Sequence, residues 1–182
     1  MQEVPPVSGQ ADLASVVDRV FADDGPLARA VAEFEPREGQ RDMAAAVARV
    51  FARGGVLLAE AGTGTGKTLA YLVPAILGRQ RVLISTGTKN LQEQIYFKDL
   101  PILREALDLP FTATYMKGRG NYLCLHRFAT LRDDVEAGSP ADRLYLKFVD
   151  DWAATTETGD RAEIQDLPED VAFWNDIAAT AD

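Results

Sequence analysis

The chain has 182 residues, enough to bury a core and to form one domain or a little more. Hydrophobic residues make up 47% and charged residues 26%, ordinary globular usage that excludes wholesale disorder, a collagen-like repeat and a coiled coil. One cysteine, Cys124, excludes an internal disulfide, and with one histidine, His126, the sequence cannot close a zinc or iron-sulfur site by itself. No apolar run approaches the roughly 18 residues of a membrane span, and the start Met1-Gln2-Glu3 lacks the basic and apolar features of a secretory signal, so a cytoplasmic location is expected. The net charge of -9 is unevenly placed: residues 131–182 carry 14 acidic and 4 basic side chains, whereas residues 1–130 carry 14 and 15. That shift near Leu131, with the loop-like Ala137-Gly138-Ser139-Pro140 beyond it, marks a candidate boundary.

In chain order, Pro5-Pro6 opens a loosely organised stretch. A helix follows from Asp12, with Leu13, Val16, Val17 and Val20 on one face, until Asp23-Asp24-Gly25-Pro26 breaks it and a second short helix begins. Arg37 to Phe51 reads as an amphipathic helix with Met43, Val47, Val50 and Phe51 inward, ended by Gly54-Gly55. Val56-Leu57-Leu58-Ala59 is a short continuous apolar run, suited to a buried parallel strand. After a glycine-rich turn comes a helix from about Gly66 to Leu77, in which Pro74 removes one hydrogen bond and predicts a kink. Arg81 to Ser85 predicts a second strand, Lys89 to Phe97 a helix, and Phe111 to Tyr115 a third strand. Alternating strands and helices predict a parallel α/β sheet, and after Asn121 the pattern turns helical and acidic.

Ala61-Gly62-Thr63-Gly64-Thr65-Gly66-Lys67-Thr68 stands between the first strand and its helix, the context a phosphate-binding loop requires. Glycines let successive N–H groups turn inward around phosphate oxygens, and the helix N-terminus adds its positive dipole end. Lys67 is then expected to reach the β- and γ-phosphates of ATP, and the Thr68 hydroxyl to ligate Mg²⁺. Other residues read two ways. Gln40 on its helix is either a solvated side chain or a base contact. Thr86 and Thr88 are strand-end and capping residues or phosphate contacts. Lys117, Arg119 and Tyr122 interleave charge with an aromatic ring, as a single-strand path or a solvated loop would. Taken alone, Cys124 is a small buried hydrophobe, His126 is structural, and Trp152 and Trp174 anchor a helical core.

Glu60 to Tyr71, with Pro74 after it, resembles motif I of the superfamily 2 helicases of the iron-sulfur type, the XPD/DinG group. Arg37-Glu38-Gly39-Gln40-Arg41-Asp42-Met43 resembles that group's adenine-reading motif. Ser85 to Gln94 resembles motif Ia, which holds the DNA backbone, and Lys117 to Cys124 resembles the segment bearing the first cluster-ligating cysteine. Trp152 through Thr158-Gly159-Asp160-Arg161-Ala162-Glu163 is similar to the group's linker between its first and second cysteines, so the similarity runs from about Phe21 to the C-terminus. The resemblance implies adenine contact by Gln40 and DNA contacts by Thr86, Thr88, Asn90, Lys117, Arg119 and Tyr122. It makes Cys124 the first of four ligands to a [4Fe–4S] cluster in a longer protein. It also implies ATP-dependent 5′-to-3′ movement of a monomeric motor on single-stranded, forked or structured DNA, in DNA repair and with no membrane involved.

The expected fold is therefore α/β: a helical extension (1–35), the first part of a RecA-like motor domain with a parallel sheet (36–116), and a helical, acidic inserted iron-sulfur domain (117–182). The box of acids that holds Mg²⁺ for hydrolysis is missing. Its nearest imitation, Leu146-Lys147-Phe148-Val149-Asp150-Asp151, has Lys147 interrupting the apolar run and lies in helical context. The chain is thus expected to be an N-terminal fragment that does not turn over ATP alone, with its acidic segment loosely packed for want of a cluster. Two other readings are a P-loop phosphotransferase and a non-catalytic nucleotide- or DNA-binding module.

Overall fold

A computed structural model describes residues 13–134, 140–164, 167–168, 171 and 173–180. Asp12, Pro5-Pro6 and the loop Ala137-Gly138-Ser139 lie outside the described residues. The chain divides into two compact units, one up to Tyr115 and one from Met116.

The first unit is built on helices. In α1 (Leu13–Val20) the apolar residues Leu13, Val16, Val17 and Val20 recur at helical spacing and are all buried. Phe21 and Leu27, the latter in α2 (Pro26–Ala30), extend the same core. Helix α3 (Glu38–Arg53) buries Gln40, Ala44 and Ala48, four residues apart, and the small Ala44 and Ala48 side chains let α1 and α4 (Lys67–Leu77) pack closely. Met43 and Phe51 flank this stripe, half-buried against the core. Helix α4 runs through Pro74, which is itself buried.

Beyond Thr88, α5 (Lys89–Gln94) passes into a wider π turn (Ile95–Asp99) and then α6 (Leu100–Leu107), so the rod is longer than the sequence pattern predicts. Pro101 explains the change of pitch, because it lacks the N–H that would bond the Phe97 carbonyl one turn back. Leu100, Leu103 and Leu107 return the chain to the core.

The expected strands differ most. Val56-Leu57-Leu58-Ala59, Arg81 to Ser85 and Phe111 to Tyr115 are without strand assignment, and among the described residues the β-pairing consists of two isolated bridges in the second unit. Val56 (86% exposed), Leu58 (92%) and Leu83 (96%) stand in solvent. Apolar composition nominates a buried strand, but a ladder also needs neighbouring chain to take up its N–H and C=O groups, and none of these segments has it here.

The second unit holds a turn of 3₁₀ helix (Arg119–Asn121), α7 (Leu125–Asp134), α8 (Pro140–Ala153), a further 3₁₀ turn (Arg161–Glu163) and α9 (Trp174–Ile177). Loose packing was the expectation for this acidic region, and the structure overturns it. Phe128, Leu146, Val149, Leu167, Phe173, Trp174, Ile177 and Ala178 form a core of their own, with Val149 and Ile177 fully buried. Apolar residues spaced along α7 to α9 suffice for this burial, since solvated charge on the outer faces does not compete with it. Trp174 is buried and Trp152 lies against it at 6.4 Å between ring centroids, whereas His126 is exposed rather than part of the core. The Leu146 to Asp151 segment lies within α8, where Asp150 pairs with Arg132 at 3.2 Å.

Candidate nucleotide-binding site

The loop from Ala61 to Gly66 turns into α4 through two glycines at positive φ, Gly64 (+75°) and Gly66 (+78°), a conformation that side chains disfavour. Gly66 is also tightly enclosed: a Cβ there would lie 2.1 Å from Gln40 Nε2. Three donors tie the loop down. Gln40 Nε2 donates to the Gly66 carbonyl at 2.9 Å, the Arg37 guanidinium donates to Gly64 O, and Lys67 Nζ donates to Ala61 O at 2.7 Å and to Gly62 O. Thr65 Oγ1 closes the turn on Gly62 O at 2.9 Å. Thr63 lies on the exposed outer part of the loop.

Gln40 is therefore not a solvated side chain; it is 6% exposed and belongs to the loop. Arg37, the residue just before α3, was not singled out from sequence. Its signal is its spacing, three residues before Gln40 and so on the same side of the helix start. Tyr71 was missed as well. Its hydroxyl is hydrogen-bonded to Thr68, and burial raises its pKa above the usual tyrosine range even though that bond opposes the rise.

The residues present fit a triphosphate. The enclosure leaves no room for a side chain at Gly66, the Lys67 ammonium bonds to the loop's carbonyls, and α4 begins directly after the loop, so its N-terminal N–H groups lie there. In the loop the ammonium rests on neutral carbonyls, and phosphate oxygens are stronger acceptors for it. Mg²⁺ takes few protein ligands and keeps water and phosphate oxygens, so the Thr68 hydroxyl would be one protein ligand among them.

Elsewhere in the first unit Thr86 Oγ1 donates to Thr88 O at 3.1 Å, Thr88 Oγ1 caps α5 by accepting from Leu91 N at 3.3 Å, and Asn90 is exposed beside them. In the second unit Lys117 does not line an open path. Its Nζ is 2.8 Å from Asp160 Oδ2, with side chains 3% and 5% exposed, so its charge is spent inside the protein. Tyr122 presents its hydroxyl to Lys117 N at 2.8 Å, and Arg119 is exposed.

Cys124 is half-buried, with its N–H donating to Ile177 O at 2.7 Å. Its neighbours Tyr122 and Leu123 bridge to Asp160 and Ala178. Among the described residues no three His, Cys, Asp or Glu side chains converge, and the one cysteine could supply only one of the four thiolates such a cluster takes.

Residues 38–117 match the DEAD/DEAH box helicase family, a span that includes Gln40, the whole phosphate loop and the Thr86–Asn90 segment. A match to that family implies the RecA-like P-loop fold for these residues. The matched segment and its flanks are similar to the ATP-dependent DNA helicase YoaA of Escherichia coli, 42% identical over 165 residues, which are 89% of this chain and 26% of that protein. The YoaA of Haemophilus influenzae is 37% identical over 171 residues, 94% of this chain and 27% of that protein. A Bacillus subtilis protein named 3′-5′ exonuclease DinG is 36% identical over 125 residues, 66% of this chain and 13% of that protein. The chain thus spans about a quarter of the length of the YoaA relatives it matches.

Proposed function

We propose that this chain supplies the ATP-binding part of a DNA helicase of the XPD/DinG type, which moves 5′ to 3′ on single-stranded DNA in DNA repair. The observation that carries the reading is the phosphate loop bound to Gln40 through Gly66, within a segment of the helicase family. Residues 36–116 are the first part of the motor domain and residues 117–182 the start of an inserted iron-sulfur domain.

Lys67 holds the β- and γ-phosphates, Thr68 holds Mg²⁺, and the Gln40 amide, already against the loop, contacts adenine. Base recognition and loop shape are then read by one side chain. Thr86, Thr88 and Asn90 hold the DNA backbone, with Arg119 and Tyr122 as further contacts, while Lys117 is assigned to structure because Asp160 neutralises it. Cys124 contributes one ligand to a cluster whose other ligands come from outside these 182 residues. The acids that position water for hydrolysis are absent from this sequence, so the chain binds ATP without turning it over.

Titration with a fluorescent ATP analogue tests the site. Lys67→Ala removes a charge-assisted phosphate contact and should weaken binding at least tenfold, since hydrogen bonds to charged groups contribute about 1.5–3 kcal/mol. Equal affinity in a folded variant would show that the loop is not the nucleotide site.

A further inference from the structure

Tyr96 and Phe97 occupy the π turn of the rod that begins at Lys89, and a third ring, Tyr115, reaches them from the extended segment after α6. The centroids are 4.6 Å apart for Tyr96 and Tyr115, 5.0 Å for Tyr96 and Phe97, and 5.5 Å for Phe97 and Tyr115. Both contacts of Phe97 are near perpendicular, at 86° and 74°, so its neighbours hold the ring by edge-to-face contact. Tyr96 packs on the core, but Phe97 is 62% exposed. Exposing so large an apolar ring costs burial energy, and π turns inside helices recur at functional sites. The exposed charge beside it is positive: Lys98 is exposed, while Asp99 is buried and accepts from Gln94 Nε2 at 3.4 Å.

We propose that Tyr96, Phe97 and Tyr115 form a base-stacking platform for single-stranded DNA, with Phe97 the ring that a base covers and Lys98 a contact to the adjoining phosphate. The proposal rests on the DNA-helicase reading and adds to it a base contact distinct from the backbone contacts at Thr86, Thr88 and Asn90. Rings suit this partner because every base has a π face, so stacking grips a strand without reading its sequence, and a nearby cation follows the backbone. Duplex DNA keeps its bases paired and stacked, and so offers Phe97 none. Phe97 lies nine residues past Thr88, about 13 Å along the rod, a distance that a few nucleotides span.

The test is fluorescence anisotropy of a labelled oligothymidylate with the 182-residue chain, comparing wild type, Phe97→Leu, Phe97→Trp and Lys98→Ala. Phe97→Leu keeps an apolar side chain without a π face and should weaken binding roughly 5- to 150-fold, with thermal unfolding and ATP affinity unchanged. Phe97→Trp should retain the affinity, and Lys98→Ala should lower the slope of log affinity against log salt by about one. Wild-type affinity in Phe97→Leu, or equal losses in the Leu and Trp variants, would overturn the platform and leave the DNA reading standing. Absence of oligothymidylate binding by wild type would overturn both. Light scattering that shows a dimer dissolved by Phe97→Leu would assign the rings to self-association and refute the proposal.

Discussion

Replacing Gly66 with alanine tests whether Gln40 and the phosphate loop form one unit. Two costs add at this position. The backbone stands at φ +78°, where an L residue is disfavoured by about 1–2 kcal/mol. The new Cβ would also meet Gln40 Nε2 at 2.1 Å and Cδ at 2.7 Å, so the amide must swing away and give up its 2.9 Å bond to Gly66 O. Gln40 is 6% exposed, and a buried amide without its partner costs about 1–3 kcal/mol. The expected loss for Gly66→Ala is therefore about 2–5 kcal/mol in urea unfolding, with weaker ATP binding. Gly64 supplies the control: its φ is +75° but nothing lies within 4 Å of a Cβ there, so Gly64→Ala should cost only the backbone part, about 1–2 kcal/mol. In a double-mutant cycle Gln40→Ala should relieve part of the Gly66→Ala loss. Equal costs for the two glycine substitutions, with no coupling to Gln40, would refute the reasoning.

The buried pair Lys117–Asp160 should be costly to break singly, so Asp160→Ala is expected to destabilise the second unit by about 3–5 kcal/mol, whereas Lys117→Met with Asp160→Leu should recover much of the loss; thermal unfolding compares them. Two carboxyls should respond to pH in opposite senses. Burial raises the Asp99 pKa above its unfolded value, so its ionisation opposes folding at neutral pH, the penalty fades as pH falls through the folded pKa, and Asp99→Asn should be neutral or stabilising at pH 7. At Glu163 burial acts against ionisation, but bonds from Thr156, Thr158 and Trp152 outweigh it and lower the pKa. Its contribution is thus present above the unfolded pKa, is lost as pH falls through the folded pKa, and should be missing at pH 7 in Glu163→Gln. Denaturant titrations from pH 7 into the acid range separate the two. The purified 182-residue chain should show no ATP turnover with or without single-stranded DNA and no stoichiometric iron by metal analysis; DNA-stimulated phosphate release abolished by Asp150→Asn would reverse the rejection of that segment as a hydrolytic acid pair.

Local periodicity and spacing were enough to read several features directly. Leu13, Val16, Val17 and Val20 are buried because their spacing alone lines one face of a helix, and the Gly64 and Gly66 conformations follow from a loop that must turn sharply into α4. Similarity to the helicase family was likewise legible, since it resides in short contiguous motifs. Other features depend on residues distant in the chain. Gln40 and Arg37 join the loop only because α3 packs on α4, a contact across 26 or 27 residues. Lys117 looked like a surface cation until Asp160 met it from 43 residues away. The π turn that displays Phe97 and the core that orders the acidic segment also arise from packing. The three apolar runs mark the limit from the other side: composition can nominate Val56 to Ala59 as a strand, but a strand exists only where another segment accepts its hydrogen bonds, and that is decided by tertiary structure.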